Sequence, residues 1–507
     1  MIEQAPALIL LFPFFASIIV ALAGIRIQGV CFPITVISMA ASVLSGIAIL
    51  VQVVNNGAIR YRLGGWEPPM GIEFRIDALG ALVALTVSIV GLLTAIYSKR
   101  QVPAETPDKV SQYYTLYLLL MTGLIGMVIT GDAFNLFVLI EVSALTSYAL
   151  IAMGPRRATL AAYKYVIMGT IGASFYLLGV GYLYIKTGSL NMFDIHEQLI
   201  ARGIFDATAV LVAFILITVG AWIKMAFFPL HAWLPNSYSY APTTSSAVLG
   251  PLVTKVMIYV MIRLTFTVFG ADYTFRQLDW SDIVVWMSVA AILVGSISAL
   301  AQTDLRKMLA YLIIAEVGYM VGGMWLADDM GLIGSIYHII ADAFMTLCVF
   351  LFAGIIFAQT GKRDLNALDG LFTKMPLTMV GFLVGAFSLI GIPPTAGFFS
   401  KWYLIQGGVA SGNWEYVIAL LISSLINAVL FFRIIEIAYF GIKPAEGHGD
   451  HHHEESSEEC PTEASFSMLL PLLVTAAILI ALGLYNRDIV AIISDFVSQF
   501  NFGVISR

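Results

Sequence analysis

The sequence predicts an all-α polytopic membrane protein with about fourteen transmembrane helices. Three observations carry this. The 507 residues are 59% hydrophobic and only 11% charged, with a mean hydropathy of +0.90, far from the roughly 25% charged composition of soluble domains. The apolar residues come in runs of about 20, the length of a helical span, whereas a β-barrel would need short alternating segments. Finally, the charges collect between those runs, apart from a small set lying within them.

The predicted spans, in order, are 6–24, 30–54, 78–98, 112–131, 133–153, 159–185, 207–231, 244–269, 283–302, 305–326, 331–359, 376–406, 414–441 and 466–485. The start, MIEQAP, lacks the basic region of a secretory signal, so the first run reads as a retained span. Residues 488–500 have apolar positions at helical spacing and are expected at the membrane interface or against a partner. An even number of spans puts both termini on one side.

Lysine and arginine favour the cytoplasmic side of a membrane. Connections after odd-numbered spans hold twelve of them, and connections after even-numbered spans together with the C-terminal tail hold eight. The bias places both termini away from the cytoplasm in a cell inner membrane, with the acidic loop 444–463 inside. That loop contains GHGDHHHEESSEEC, a composition that could ligate zinc or nickel, but a flexible solvated segment fixes no coordination geometry and the solvated reading is preferred. Cys31, Cys348 and Cys460 form no CxxC, iron–sulfur or haem spacing, so no metal centre, cofactor or electron path is expected within the chain. The net charge is -6 and no basic patch is present, which argues against a nucleic-acid partner.

Six basic residues fall within spans: Lys164, Lys224, Lys255, Arg263, Lys401 and Arg433. Glu141, Glu316, Asp342, Glu436, His231 and His338 join them. A lysine at the centre of a membrane helix costs about 2.5–3.5 kcal/mol on insertion scales, so each such residue is a functional candidate. From Glu141 the steps to Lys164, Lys224 and Lys255 are 23, 60 and 31 residues; from Glu316 the steps to His338, Lys401 and Arg433 are 22, 63 and 32. The spacing therefore predicts that spans four to eight recur as spans nine to thirteen. An odd number of spans per unit makes the second copy inverted. Helix breakers obey the same repeat. Pro229 and Pro235 interrupt span seven, and Ile392-Pro393-Pro394-Thr395 interrupts span twelve, although the lysine precedes the prolines in one copy and follows them in the other. The expected divisions are 1–111, a first repeat at 112–269, a second at 283–441, the loop at 442–465 and a last span with an interfacial helix at 466–507.

Each candidate has a functional and a structural reading. Glu141 lies about 12 Å into its span, and a Glu–Lys pair at 4 Å is worth about 4 kcal/mol at an effective dielectric near 20, enough to decide whether Lys224 keeps its proton. It would otherwise serve a structural ion pair. Lys255 is too deep to reach the interface, whereas Lys164 and Lys401 could snorkel. His231 and His338 suit proton relay near neutral pH and equally suit a satisfied buried histidine. Glu316 and Asp342 divide evenly between the two readings. Arg263 and Arg433 do not readily release a proton and read as fixed charges.

With these residues in view, the sequence resembles the antiporter-like proton-translocating membrane subunits shared by respiratory complex I, membrane-bound hydrogenases and Mrp-type cation/proton antiporters. The resemblance covers most of the chain. It rests on FNLFVLIE ending at Glu141, KMAFFPLHAWLPNSY from Lys224, GPLVTKVMIYVMIRL around Lys255, DLRKMLAYLIIAEVGY in span ten and GIPPTAGFFSKWYL around Lys401. The stretch LGGWEPPMGIEFRIDALGALV at 63–83 looks most like the D subunit of Mrp antiporters. The resemblance implies a gating pair at Glu141 and Lys224, an axial carrier at Lys255 and an exit-side carrier at Lys401. It also implies hydrophobic partner subunits, protons as the transported ions with sodium as a candidate for exchange, and no catalytic centre; any NADH dehydrogenase or hydrogenase activity would belong to partners. The chain departs from the family in span eleven, YHIIADAFMTLCVFLFAG, where Asp342 and Thr346 stand in place of a second histidine and a lysine, and Glu316 adds an acid.

Overall fold

Why fourteen runs become fourteen crossings is visible in the computed structural model, which describes residues 2–441, 462–500 and 502. Twelve of its helices are long and apolar enough to span a membrane. Two further crossings are broken. The sequence-predicted loop site at 444–463 falls almost wholly outside the described residues.

The chain begins with α1 (Ala5–Ala23) and α2 (Cys31–Asn56), then a short antiparallel hairpin of β1 (Ile59–Arg62) and β2 (Glu73–Ile76), then α3 (Ala78–Glu105). The first repeat is α4 (Val110–Ile129), α5 (Ala133–Ala152), α6 (Arg156–Thr187), a lateral α7 (Met192–Ala201), the broken span α8 (Thr208–Lys224) and α9 (Leu234–Tyr240), and α10 (Thr243–Arg263). The second is α11 (Ser281–Leu300), α12 (Leu305–Trp325), α13 (Asp329–Thr360), a single turn α14 (Leu371–Lys374), the broken span α15 (Pro376–Ile390) and α16 (Ala396–Ala410), and α17 (Trp414–Phe440). The chain closes with α18 (Phe466–Leu484) and α19 (Asn486–Val497).

Side chains set many of these ends. Asp77, Asp132, Asn191, Asp304 and Asp328 each accept an N–H from the first turn of the helix that follows, satisfying donors that would otherwise be orphaned. Gly188, Gly361 and Gly391 close α6, α13 and α15 at φ +75°, +67° and +95°, a region that suits glycine. Packing between spans relies on small residues: a Cβ on Gly220 would lie 2.7 Å from the Gly172 carbonyl oxygen, which locks α8 against α6.

The two repeats pack alike and run in opposite directions. In one, α5 packs on α4 and α6, and α6 on α8 and α9; in the other, α12 packs on α11 and α13, and α13 on α15 and α16. The connections sort by parity, as the repeat requires. On one face the Arg363 guanidinium donates to Ser239 O (3.1 Å), Arg306 donates to Ala241 O (3.3 Å), and Thr243 N donates to Glu105 (2.7 Å), joining connections after odd-numbered spans. On the other, Asn191 donates to Glu73 (2.8 Å) and Gly131 N to Glu73 O (3.0 Å), joining connections after even-numbered spans. Helix α13 lies at the centre, buried throughout its most apolar stretch.

Sequence reasoning missed some elements. The hairpin and α7 lie in stretches read only as connections, because a four-residue strand and a ten-residue lateral helix leave little hydropathy signal. Helix α19 was expected, and its Ile493, Phe496 and Val497 are buried against this chain, where it packs on α3 and α13.

Candidate functional site: a buried line of ionisable side chains

The break in span seven places Lys224 as the last residue of α8, where unpaired carbonyls favour a cation. Its Nζ donates to Glu141 Oε1 at 2.9 Å. The lysine is nearly sealed (side chain 6% exposed), whereas Glu141 is 26% exposed and reaches the outer surface of α5.

The break in span twelve resolves the sequence asymmetry. Lys401 follows its prolines, yet it extends back from α16 so that Nζ donates to Leu389 O (2.7 Å) and Ile390 O (3.4 Å), the last carbonyls of α15, and to Ser424 Oγ (3.1 Å). Both lysines thus occupy the C-terminal end of a half-helix. Lys401 is buried and does not snorkel; the aromatic face of Tyr319 lies 5.3 Å from its ammonium.

A second group of buried ionisable side chains gathers around Lys255 and reaches Lys401 through His338 and Ser400. Lys255 Nζ forms an ion pair with Asp342 Oδ2 at 2.8 Å, and also donates to Gly250 O (3.2 Å) and Thr346 Oγ1 (3.3 Å). The Thr346 hydroxyl donates in turn to Asp342 Oδ1 at 2.8 Å. His338 Nε2 lies 2.5 Å from Glu316 Oε2, and its Nδ1 lies 2.8 Å from Ser400 Oγ, the residue before Lys401. Two positions read as departures, Asp342 and Thr346, are therefore the direct partners of Lys255. Glu316 is the partner of His338.

Glu316, His338 and Asp342 each present a ligand atom within 4.8 Å of the others, and all three are buried. A metal held by both Glu316 and His338 would have to displace their mutual contact at 2.5 Å. The Lys255 ammonium already neutralises Asp342.

Three candidates stand apart. Lys164 is exposed on α6 between Tyr163 and outward apolar residues. His231 lies in the α8–α9 elbow, stacked on Phe228 at 5.4 Å. Arg263 is bidentate on Asp77 and donates to Tyr259 at 2.8 Å, a fixed charge holding α10 to the start of α3. Outside the spans, burial alone would raise the Asp77 carboxyl, but the Arg263 charge and hydrogen bonds overcome this and hold it below the usual carboxylate range. Burial pushes Asp132, the α5 cap, upward. Ser400, Ser424 and Tyr319 went unread in the sequence, since isolated hydroxyls in apolar helices carry no signal until their neighbours are known.

A mainly helical bundle with inverted repeats, two broken spans and paired ionisable side chains within them defines a multi-pass membrane subunit. The chain belongs to the family described as NADH:quinone oxidoreductase/Mrp antiporter, TM, which it matches over residues 130–427. It is thus an antiporter-like membrane subunit of the Mrp and complex I type. It is 40% identical over 497 residues to the N subunit of NADH-quinone oxidoreductase from Desulforudis audaxviator (strain MP104C), covering 97% of this chain and 98% of that one. It is 34% identical over 409 residues to the D subunit of the Na(+)/H(+) antiporter from Bacillus subtilis (strain 168), covering 80% and 81%. Its fold matches a chain of the membrane-bound sulfane sulfur reductase, an archaeal respiratory membrane complex, with TM-score 0.88 and 28% identity over 98% of this chain and 99% of that one. A chain of the Mrp complex from Dietzia sp. DQ12-45-1b matches in fold with TM-score 0.85 at 23% identity, covering 100% and 99%.

Proposed function

We propose that the chain is the proton-translocating subunit of a multisubunit Mrp-type antiporter exchanging a monovalent cation such as Na+ for H+. The observation that carries this is the set of three acid–base pairs within the spans, Glu141–Lys224, Lys255–Asp342 and Glu316–His338, the last reaching Ser400 beside Lys401. Its working halves are the units 112–269 and 283–441. It sits among hydrophobic partner subunits in the cytoplasmic membrane, with both termini outside and the odd-numbered connections facing the cytoplasm, as their basic excess supports.

In this reading each lysine is balanced by two opposing effects. Burial disfavours the ammonium, and an adjacent carboxylate favours it. When Glu141 pairs with Lys224, that lysine keeps its proton. When the pair opens, the proton moves inward to Lys255, and the Lys255 proton passes through Asp342, Glu316 and His338 towards Lys401. The extent of similarity to an NADH-quinone oxidoreductase N subunit, 97% of the chain, favours a second reading in which a redox reaction elsewhere in the complex drives the same carriers.

Transport in inverted membrane vesicles carrying Lys224→Ala or Glu141→Ala tests the proton pathway. Near-normal proton coupling in both variants would end the proposal. The co-purifying subunits separate the two settings: small hydrophobic subunits support the antiporter, and iron–sulfur or nickel–iron subunits support the redox-driven complex.

A further inference from the structure

We infer that Glu105 is the proton-loading carboxylate of an inlet on the face formed by the odd-numbered connections, feeding Lys255 along α10. The inference rests on the proton-carrying function proposed above. Glu105 is the last residue of α3 and is half-buried. It lies on a cavity of about 390 Å³ together with Arg100, Gln101, Phe357, Gln359 and Ser465. Its Oε2 accepts the Thr243 N–H at 2.7 Å, so the carboxylate sits at the start of the helix that carries Lys255. Its Oε1 is buried and has no hydrogen-bond partner among the described residues. A carboxylate used only as a helix cap has no reason to leave its second oxygen unpaired.

Beyond Glu105 the unpaired oxygens continue inward. Among the described residues, the buried hydroxyls of Tyr97 on α3 and Thr254 on α10 have no hydrogen-bond partner, and those of Tyr113 on α4 and Thr244 on α10 have at most each other or Ser245. Tyr97 and Tyr113 both feel the Glu105 charge, and the Tyr113 hydroxyl faces those of Thr244 and Ser245. Pro251 cannot donate a backbone hydrogen bond, which releases the Ala247 carbonyl one turn earlier. Thr244, Ala247, Pro251, Thr254 and Lys255 fall on one side of α10 at helical spacing. From Thr244 to Thr254 the helix rises about 15 Å at 1.5 Å per residue. One face of α10 thus carries hydroxyls near the cavity and beside Lys255, with the carbonyl that Pro251 releases between them.

The step balances as a relay. Water in the cavity gives a proton to Glu105, each hydroxyl or intervening water accepts one proton and releases another, and the last proton goes to Lys255 Nζ after its own has moved to Asp342. Among the described residues, the charged and titratable groups facing Glu105 are Arg306 from α12, Tyr97 from its own helix and Tyr113 from α4, with Arg100 on the cavity wall. Helix α10 offers only the Thr243 N–H, and α13 and α18 line the cavity with neutral side chains.

Glu105→Gln separates loading from capping, because its amide oxygen still accepts the Thr243 N–H but cannot carry a proton. The assay is proton uptake by inverted vesicles containing the whole complex, between pH 6 and 9, expressed per assembled complex. Glu105→Gln is expected to slow uptake by at least about tenfold with an altered pH profile. Glu105→Asp is expected to restore most of it, and Thr244→Val and Tyr113→Phe to slow it without changing assembly. A Glu105→Gln complex with the parent rate and pH profile overturns the inlet, as does a loss that follows only the amount of complex. Lys255→Met is the control: if it too transports normally, the proton-carrying function itself fails, and if it alone is inactive, only the inlet fails.

Discussion

Replacing Asp342 by Asn leaves shape nearly unchanged and removes the one charge opposite Lys255. At 2.8 Å and an effective dielectric near 20, that charge supports the Lys255 ammonium by about 6 kcal/mol. Both side chains are sealed from solvent, 2% and 0% exposed, so water cannot substitute for the lost partner. Even half of that interaction, about 3 kcal/mol, corresponds to roughly a hundredfold in the rate of a step that depends on the pair. Thr346 would also lose the acceptor it now uses at 2.8 Å. Asp342→Asn is therefore expected to slow proton uptake by about a hundredfold per assembled complex, measured in inverted vesicles by quenching of a pH-sensitive dye. The double variant Lys255→Met with Asp342→Leu should assemble at normal or higher stability, because replacing a buried ion pair with apolar groups is often neutral or stabilising by about 1–4 kcal/mol. It should not transport. Uptake within twofold of the parent in Asp342→Asn would refute the claim that this pair holds the carried proton.

Other outcomes follow from the packing and the caps. Gly483→Ala would press a Cβ into the Pro394 carbonyl oxygen, forcing α18 away from the break in span twelve. Thermal unfolding should register a loss of about 1–3 kcal/mol together with reduced transport. The folded-state pKa of Asp77 is depressed, so its stabilising contribution is present above about pH 3.9 and is lost as pH falls through the lower folded value. Asp77→Asn should accordingly lower the melting temperature at pH 6 and flatten its decline on acidification below about pH 4. Lys164→Leu should leave Lys224–Glu141 chemistry intact, because the exposed ammonium makes no contact with that pair; a loss of complex assembly with normal activity per complex is the expected result.

Much of this architecture was legible because hydropathy and charge report on burial directly. Span count, the inverted repeat and the depth of Lys224 and Lys255 follow from spacing alone, since an isolated lysine in an apolar run has few places to go. Pairing was not legible. Nothing in the local sequence says that Asp342 meets Lys255, 87 positions away, or that Glu316 meets His338 across two helices. Such contacts are settled by how helices cross, and apolar spans that differ by a few methyl groups carry little record of their crossing. Glu105 shows the same limit at the edge of the membrane: at the end of a span it reads as an ordinary solvated acid until α10 is set against it.

The placement of Lys224 and Lys401 at the ends of half-helices carries one more consequence. A helix C-terminus is a shallow well for a cation, and a break sets such a well at mid-depth rather than at the surface. Helix α8 enters from the face of the even-numbered connections and α15 from the opposite face, so the two wells open in opposite directions. One chain thereby holds two receptacles for the same charge, facing opposite sides of the bundle.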